Sequence, residues 1–188
     1  MRTIIDTSSL VRMAQYYHPF DSTDALNAFL QTEMKNGSVI ILDRVLKEIQ
    51  FVSQGIAYKT FSCLKNKKFI RSTKDLIPPQ RFYNMLDNNF VDRAMRNLKF
   101  RDDENGYQDA RQSYLQGADC NMIVYAMKEN TVIDPIQILT EESVNLNDGK
   151  LFKKIPSICK ELNIPTVNVV EYFKQHNEDL SIEVKSLR

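Results

Sequence analysis

Four short apolar runs punctuate the chain, and segments with helical spacing fill the intervals between them. Thr3-Ile4-Ile5, Val39-Ile40-Ile41-Leu42, Ile136-Gln137-Ile138-Leu139-Thr140 and Pro165-Thr166-Val167-Asn168-Val169 are too short for helices and rich in β-branched residues. Each is expected to be a strand, and the unbroken apolar runs suit strands buried on both faces of a parallel sheet. Leu10, Val11, Met13 and Ala14 predict a first helix that breaks near His18-Pro19. A second helix is expected between Asp21-Ser22-Thr23-Asp24 and Asn36-Gly37, with Leu26, Phe29, Leu30 and Met34 on its inner face. Val45, Leu46, Ile49 and Val52 predict a third, and Tyr58 to Leu64 a further short one.

The middle of the chain is the least patterned part. Pro78-Pro79 forces a break, and Phe82, Met85, Leu86, Phe90, Ala94, Met95 and Leu98 keep a 3.6-residue rhythm expected of core or of a dimer face. Lys99 to Asp109 is polar and is expected to be a loop. Ala118 to Met127 then reads as a strongly apolar helix, Ile155 to Leu162 as a short helix with proline in its first turn, and Glu171 to Phe173 as the start of a terminal helix. Strands alternating with helices predict an α/β fold with a parallel sheet covered on both faces.

Composition narrows the class. A chain of 188 residues with 43% apolar content is long enough for one sizeable core. Lys and Arg number 25 against 24 Asp and Glu, so overall charge does not argue for or against a nucleic-acid partner. Cys63, Cys120 and Cys159 are odd in number, widely spaced and form no CxxC pair, which argues against a disulfide framework or zinc site and for reduced thiols in a cytoplasm. Only two histidines, His18 and His176, are present, which excludes a histidine-rich metal site. No apolar run approaches the roughly 20 residues of a membrane span, and the opening residues, which move straight into the first strand, are not expected to be a signal peptide.

The candidate chemistry lies in carboxylates. Asp6 follows the first strand, Glu48 lies on the helix after the second, Asp119 opens the helix that feeds the third, and Glu142 stands just past that strand. In a parallel sheet all four can face one crevice at the carboxyl edge, where α/β folds bind ligands. Crowded carboxylates repel one another unless a cation is held among them. An all-oxygen donor set selects Mg²⁺ or Mn²⁺, and such ions suit phosphodiester hydrolysis. Plainer readings stand beside this one. Asp6 and Asp119 can be helix caps or first-turn acids, Glu48 a solvated partner of Arg44 or Lys47, and Glu142 an exposed loop acid. Glu141 and Asp43 are rivals for neighbouring roles.

The segments Ile4 to Leu10, Val45-Leu46-Lys47-Glu48-Ile49, Ala118 to Ala126 and Ile138-Leu139-Thr140-Glu141-Glu142 resemble, in their order along the chain, the motifs of PIN-domain ribonucleases. Lys154-Ile155-Pro156-Ser157-Ile158-Cys159 is similar to a further signature of one bacterial and archaeal PIN subfamily, whose members are similar to the toxins of toxin–antitoxin pairs. The resemblance covers the ends of the chain and leaves about Phe51 to Gly117 unmatched. It implies a three-layer α/β/α sandwich with four or five parallel strands over residues 1–175. Residues 51–117 would be a variable helical segment within it, and 176–188 a C-terminal tail. Asp6, Glu48 and Asp119 match the family's metal-binding acids. Glu142 stands where many members carry Asp, and whether it or Glu141 is the fourth acid stays open. Thr140 matches a threonine at the strand end, and Ser9 either touches the metal's surroundings or caps the helix. The implied function is a metal-dependent endoribonuclease, silenced in the toxin branch by a small antitoxin. The alternatives are a non-catalytic PIN fold that binds RNA or protein, and a structure-specific DNA nuclease. Lys65, Lys67, Lys68 and Arg71 form a basic cluster that can track RNA phosphates or simply be a solvated face. Cys159, with no histidine beside it in sequence, reads as a buried helix residue.

Overall fold

A computed structural model describes residues 1–144 and 149–183. Five parallel strands form its centre: β1 (Arg2–Ile5), β2 (Val39–Leu42), β3 (Ile70–Arg71), β4 (Ile136–Leu139) and β5 (Thr166–Val167), in the spatial order β3-β2-β1-β4-β5. Helices cover both faces, giving the α/β/α sandwich expected from the sequence. The register pairs Ile4 with Ile40 on one side and with Ile138 on the other, so the three most apolar runs lie side by side. Every residue of β2 and β4 is buried, and no polar alternation survives because helices pack on each face. The one polar side chain inside β4 is satisfied: Gln137 donates to Thr3 Oγ1 at 3.0 Å and to Gln175 Oε1 at 2.8 Å.

Helix α1 (Thr7–Arg12) follows β1 and runs on as a π-helical turn over Met13–Tyr17 before the break at His18-Pro19. Helix α2 (Ala25–Asn36) ends at Gly37, whose φ of 81° is the left-handed conformation a helix stop requires. Helices α3 (Asp43–Ile49) and α4 (Ile56–Thr60) lead through short turns to β3. Helices α5 (Gln80–Met85), α6 (Arg93–Phe100), α7 (Glu104–Gln116) and α8 (Ala118–Glu129) precede β4. Helices α9 (Ile155–Leu162) and α10 (Val169–Gln175) flank β5. Helix α8 buries seven residues, among them Cys120, Met122 and Ile123, because it lies between the sheet and neighbouring helices. Helix α10 is fixed by a capping box in which Asn168 and Glu171 satisfy each other's backbone N–H groups.

Three expectations need correction. The stretch Lys99 to Asp109 is not a loop, since α6 extends to Phe100 and α7 begins at Glu104, capped by Asp103 accepting from Gly106 N at 2.9 Å. Asp103 and Glu104 are polar because they open a helix. Edge strand β3 was not among the expected strands; its two residues carry no apolar run. The run Pro165 to Val169 gives only two strand residues, because Asn168 is already the cap of α10.

The middle of the chain belongs to the same core as the sheet. Phe61, Phe82, Leu86 and Phe90 are fully buried in one apolar cluster with Ile4, Ile40 and Ile138. The beginning of the expected tail also packs: Leu180 is buried, and Ser22 donates through both backbone and side chain to Glu183 O. Residues 184–188 of that tail lie outside the described residues. No helix among the described residues is long and apolar enough to cross a membrane.

Replacing the fully buried Phe90 with Ala leaves a cavity and is expected to cost about 3–5 kcal/mol. Denaturant unfolding should remain one cooperative transition. A loss below about 1 kcal/mol, or a separate transition for the middle segment, would show that residues 51–117 do not share the core.

Candidate functional site

The spatial order places β1 between β2 and β4, so the chain turns in opposite directions on either side of β1 and β4. That junction is where an open α/β sheet leaves a crevice at its carboxyl edge. Asp6 leaves the end of β1 and Thr140 the end of β4, and the two meet. Thr140 Oγ1 donates to Asp6 Oδ2 at 3.0 Å, and Ser8 Oγ donates to the same oxygen at 2.5 Å. Asp6 is 5% exposed. Burial pushes its carboxyl above the ordinary range, the two hydroxyls oppose that shift, and the charge of Glu142 adds to it.

The other three acids reach the same region from separate elements. Glu48, on the exposed side of α3, accepts from Thr7 Oγ1 at 2.9 Å, so α1 and α3 are tied across the crevice. Asp119 stands in the first turn of α8. Its carboxyl is pushed up to about 7 by burial first and then by the charges of Asp6, Glu142 and Glu48, while Lys150 acts the other way. Asp6, Glu48 and Glu142 are therefore all brought within electrostatic reach of Asp119. Glu142 accepts from Ile155 N, at the start of α9, at 2.9 Å and meets Lys150 Nζ at 2.7 Å.

Glu141 has different work. It accepts from Val169 N at the start of α10 at 2.8 Å and pairs with Arg12 at 2.8 Å. Asp43 is held by Thr73, through the hydroxyl at 2.6 Å and the backbone N–H at 3.1 Å. Both rivals hold segments together, and of the neighbouring pair it is Glu142 whose charge acts on Asp6 and Asp119.

Ser9 does not cap α1, which has Asp6 at its N-cap and no side-chain cap bond. Its hydroxyl is fully buried and has no hydrogen-bond partner among the described residues. Lys65, Lys67, Lys68 and Arg71 lie on edge strand β3 and the turns before it, with β2 between them and β1. The structure does not bring them together with the acids. The three cysteines are free and buried, and burial pushes the Cys120 and Cys159 thiols up to about 12, far from nucleophilic readiness.

Sequence reasoning missed the cleft beside Asp119. Its volume is about 330 Å³, and Tyr114, Phe152 and several lysines line it with that acid. Tyr114 and Phe152 stack with ring centroids 4.3 Å apart, an arrangement invisible until α7 is placed. Only the density of lysines from Lys150 to Lys154 hinted at it.

A doubly wound α/β domain with an acidic crevice at its switch point is thus defined. The chain belongs to the family described as a domain of unknown function, DUF4411, whose profile matches residues 3–180. No curated protein matches the chain.

Among the described residues, no three side chains of metal-binding type close on a single point. The donor set nevertheless fits a hard divalent ion: all four acids supply oxygen, and their repulsion is registered in Asp119. Mg²⁺ characteristically keeps several waters and uses one or two protein carboxylates, so no closed cage is required of them.

The raised carboxyl of Asp119 makes one contribution to the pH dependence of the metal-free protein, of the same sign as that of the raised Asp6 carboxyl. The folded state retains a proton that the unfolded chain releases between pH 3.8, the ordinary value, and about 7. Stability should fall as pH rises through that window and level off above it. A displacement of that size corresponds to about 4 kcal/mol as an upper bound, and partial exposure should reduce the effect to about 2 kcal/mol. Urea unfolding at a series of pH values in EDTA should show this fall in the parent and a flatter profile in Asp119→Asn. Identical profiles would contradict the crowding of carboxylates.

Proposed function

We propose that the protein is a Mg²⁺- or Mn²⁺-dependent endoribonuclease of the PIN type that hydrolyses RNA phosphodiester bonds in the cytoplasm. The observation that carries this reading is the placement of Asp6, Glu48, Asp119 and Glu142, each from a different element, about the carboxyl edge beside β1 and β4, where burial and the three neighbouring acids push the Asp119 carboxyl up to about 7. Fold class, crevice position and motif order support it. Asp6, Glu48, Asp119 and Glu142 would hold the cation. When bound, a divalent ion supplies Lewis acidity toward a phosphate oxygen and makes water a better nucleophile.

The chain's own residues do the positioning. Ser8 and Thr140 fix the Asp6 carboxylate from two sides, so one of its oxygens is committed to hydroxyl donors. Thr7 orients Glu48, and the N–H of Ile155 orients Glu142. Lys150 offsets part of the repulsion across Glu142 and Asp119. The resemblance to the toxin branch makes a small antitoxin that occludes the crevice the expected regulator.

Incubation of the purified protein with a panel of single-stranded RNAs and Mn²⁺ tests the reading. Cleavage should appear in the parent, vanish in EDTA, and fall in Asp6→Asn and Asp119→Asn by about 100-fold or more, beyond the 10–100-fold typical of residues that only support a metal ligand. Thr140→Val should cost about 10-fold, through Asp6 and through Glu142, whose N–H Thr140 Oγ1 accepts at 3.2 Å. RNA binding without cleavage in any form would favour a non-catalytic binding module, and preferential cutting of branched DNA would favour the DNA-nuclease alternative. Absence of both cleavage and metal binding by calorimetry would sink the proposal.

A further inference from the structure

We infer that α6 is a binding platform for single-stranded RNA, leading the phosphate backbone from a cleft on one side of the helix into the cleft beside Asp119. The destination rests on the nuclease reading, whereas the platform itself rests on α6 and its surroundings. Helix α6 buries no residue along its length. Arg93 and Asn97, four apart on one face of α6, and Arg101, the C-cap that continues in helical conformation, line a cleft of about 420 Å³ together with Arg96. Arg93 and Arg101 stand about 12 Å apart along the axis at 1.5 Å per residue. Lys99, on the same helix, lines the second cleft with Asp119, and its ammonium donates to Gly149 O at 3.1 Å. One helix thus borders both clefts.

The acids of the first cleft are already engaged. Asp87 receives two parallel hydrogen bonds from Arg111 at 2.7 and 2.8 Å, and Glu104 pairs with Arg96 at 2.9 Å. Asp92 and Asp103, which flank α6, accept backbone N–H groups as helix caps. Arg93 and Arg101 remain exposed with no ion-pair partner among the described residues. Guanidinium groups so placed match phosphate oxygens in two-pronged geometry. In the second cleft the stacked Tyr114 and Phe152 supply an aromatic wall, and the Tyr114 hydroxyl is buried with no hydrogen-bond partner among the described residues. Cations tracking a backbone beside aromatic side chains are the chemistry of single-strand binding.

The test is fluorescence anisotropy of a labelled oligouridylate in EDTA, where no cleavage intervenes, at salt from roughly 50 to 200 mM. The Arg93→Gln/Arg101→Gln double variant should lower the slope of log affinity against log salt by about 1.4, at about 0.7 for each phosphate no longer neutralised, and weaken binding roughly tenfold. A Lys65→Gln/Lys68→Gln control should match the parent, and thermal melts should show all three proteins equally folded. An unchanged slope in the arginine variant overturns the inference. So does a loss confined to the lysine variant, equal affinity for duplex RNA, or displacement of RNA by polyglutamate through the same arginines, which would mark an acidic-protein site. Full binding and slope in a protein that cleaves nothing with Mn²⁺ would leave the platform standing and remove the nuclease.

Discussion

Everything at the carboxyl edge follows from placing a carboxylate where β1 and β4 end side by side. Asp6 is almost fully buried, and a carboxylate there without donors would simply take up a proton. Two hydroxyls oppose that outcome, one from the next turn of its own chain and one from the end of the neighbouring strand. The Thr140 bond spans 134 residues of sequence and links the two sheet halves at the point where their connections diverge. Burying one acid then penalises the next. Asp119, less enclosed than Asp6, carries the visible consequence, because it meets the charges of all three others.

The acids that stay outside this crowding are as instructive as those inside it. Glu141 and Glu142 are adjacent, yet successive residues leaving a strand point to opposite sides. Glu141 therefore reaches Arg12 and the start of α10, while Glu142 faces Asp6, Lys150 and the start of α9. Each carboxylate also satisfies an otherwise orphaned N–H of a helix beginning. In that position both fix the helices that close the crevice, and Glu142 alone adds its charge to the site.

Strands β1, β2 and β4 were legible because each is a continuous apolar run, and burial on both faces imposes that pattern. The acids could be located for the same reason, since knowing where a strand stops locates the residue after it. Edge strand β3 left no such trace, being two residues long with one side to solvent. Helix α7 was hidden by its own beginning: capping acids and a glycine read as a loop, although Asp103 accepts from Gly106 and so starts the helix. The lysine cluster before β3 was conspicuous as a run, but a run of charge records only that a segment is exposed. Arg93, Asn97 and Arg101 are scattered in sequence and gather on one face only once the segment is helical.

That difference bears on how the proposed RNA substrate would approach the acidic crevice. Carboxylates crowded enough to hold a proton near neutral pH also repel phosphate, so attraction must come from cations placed at the crevice border. Lys150 is such a border group, set against Glu142 and lowering the repulsion felt at Asp119. Lys99 extends the border outward along α6, and the arginines of that helix extend it further. The lysines before β3 lie beyond β2 from β1 and do not line the cleft beside Asp119. The segment least patterned in sequence therefore supplies the charge that the acidic edge lacks.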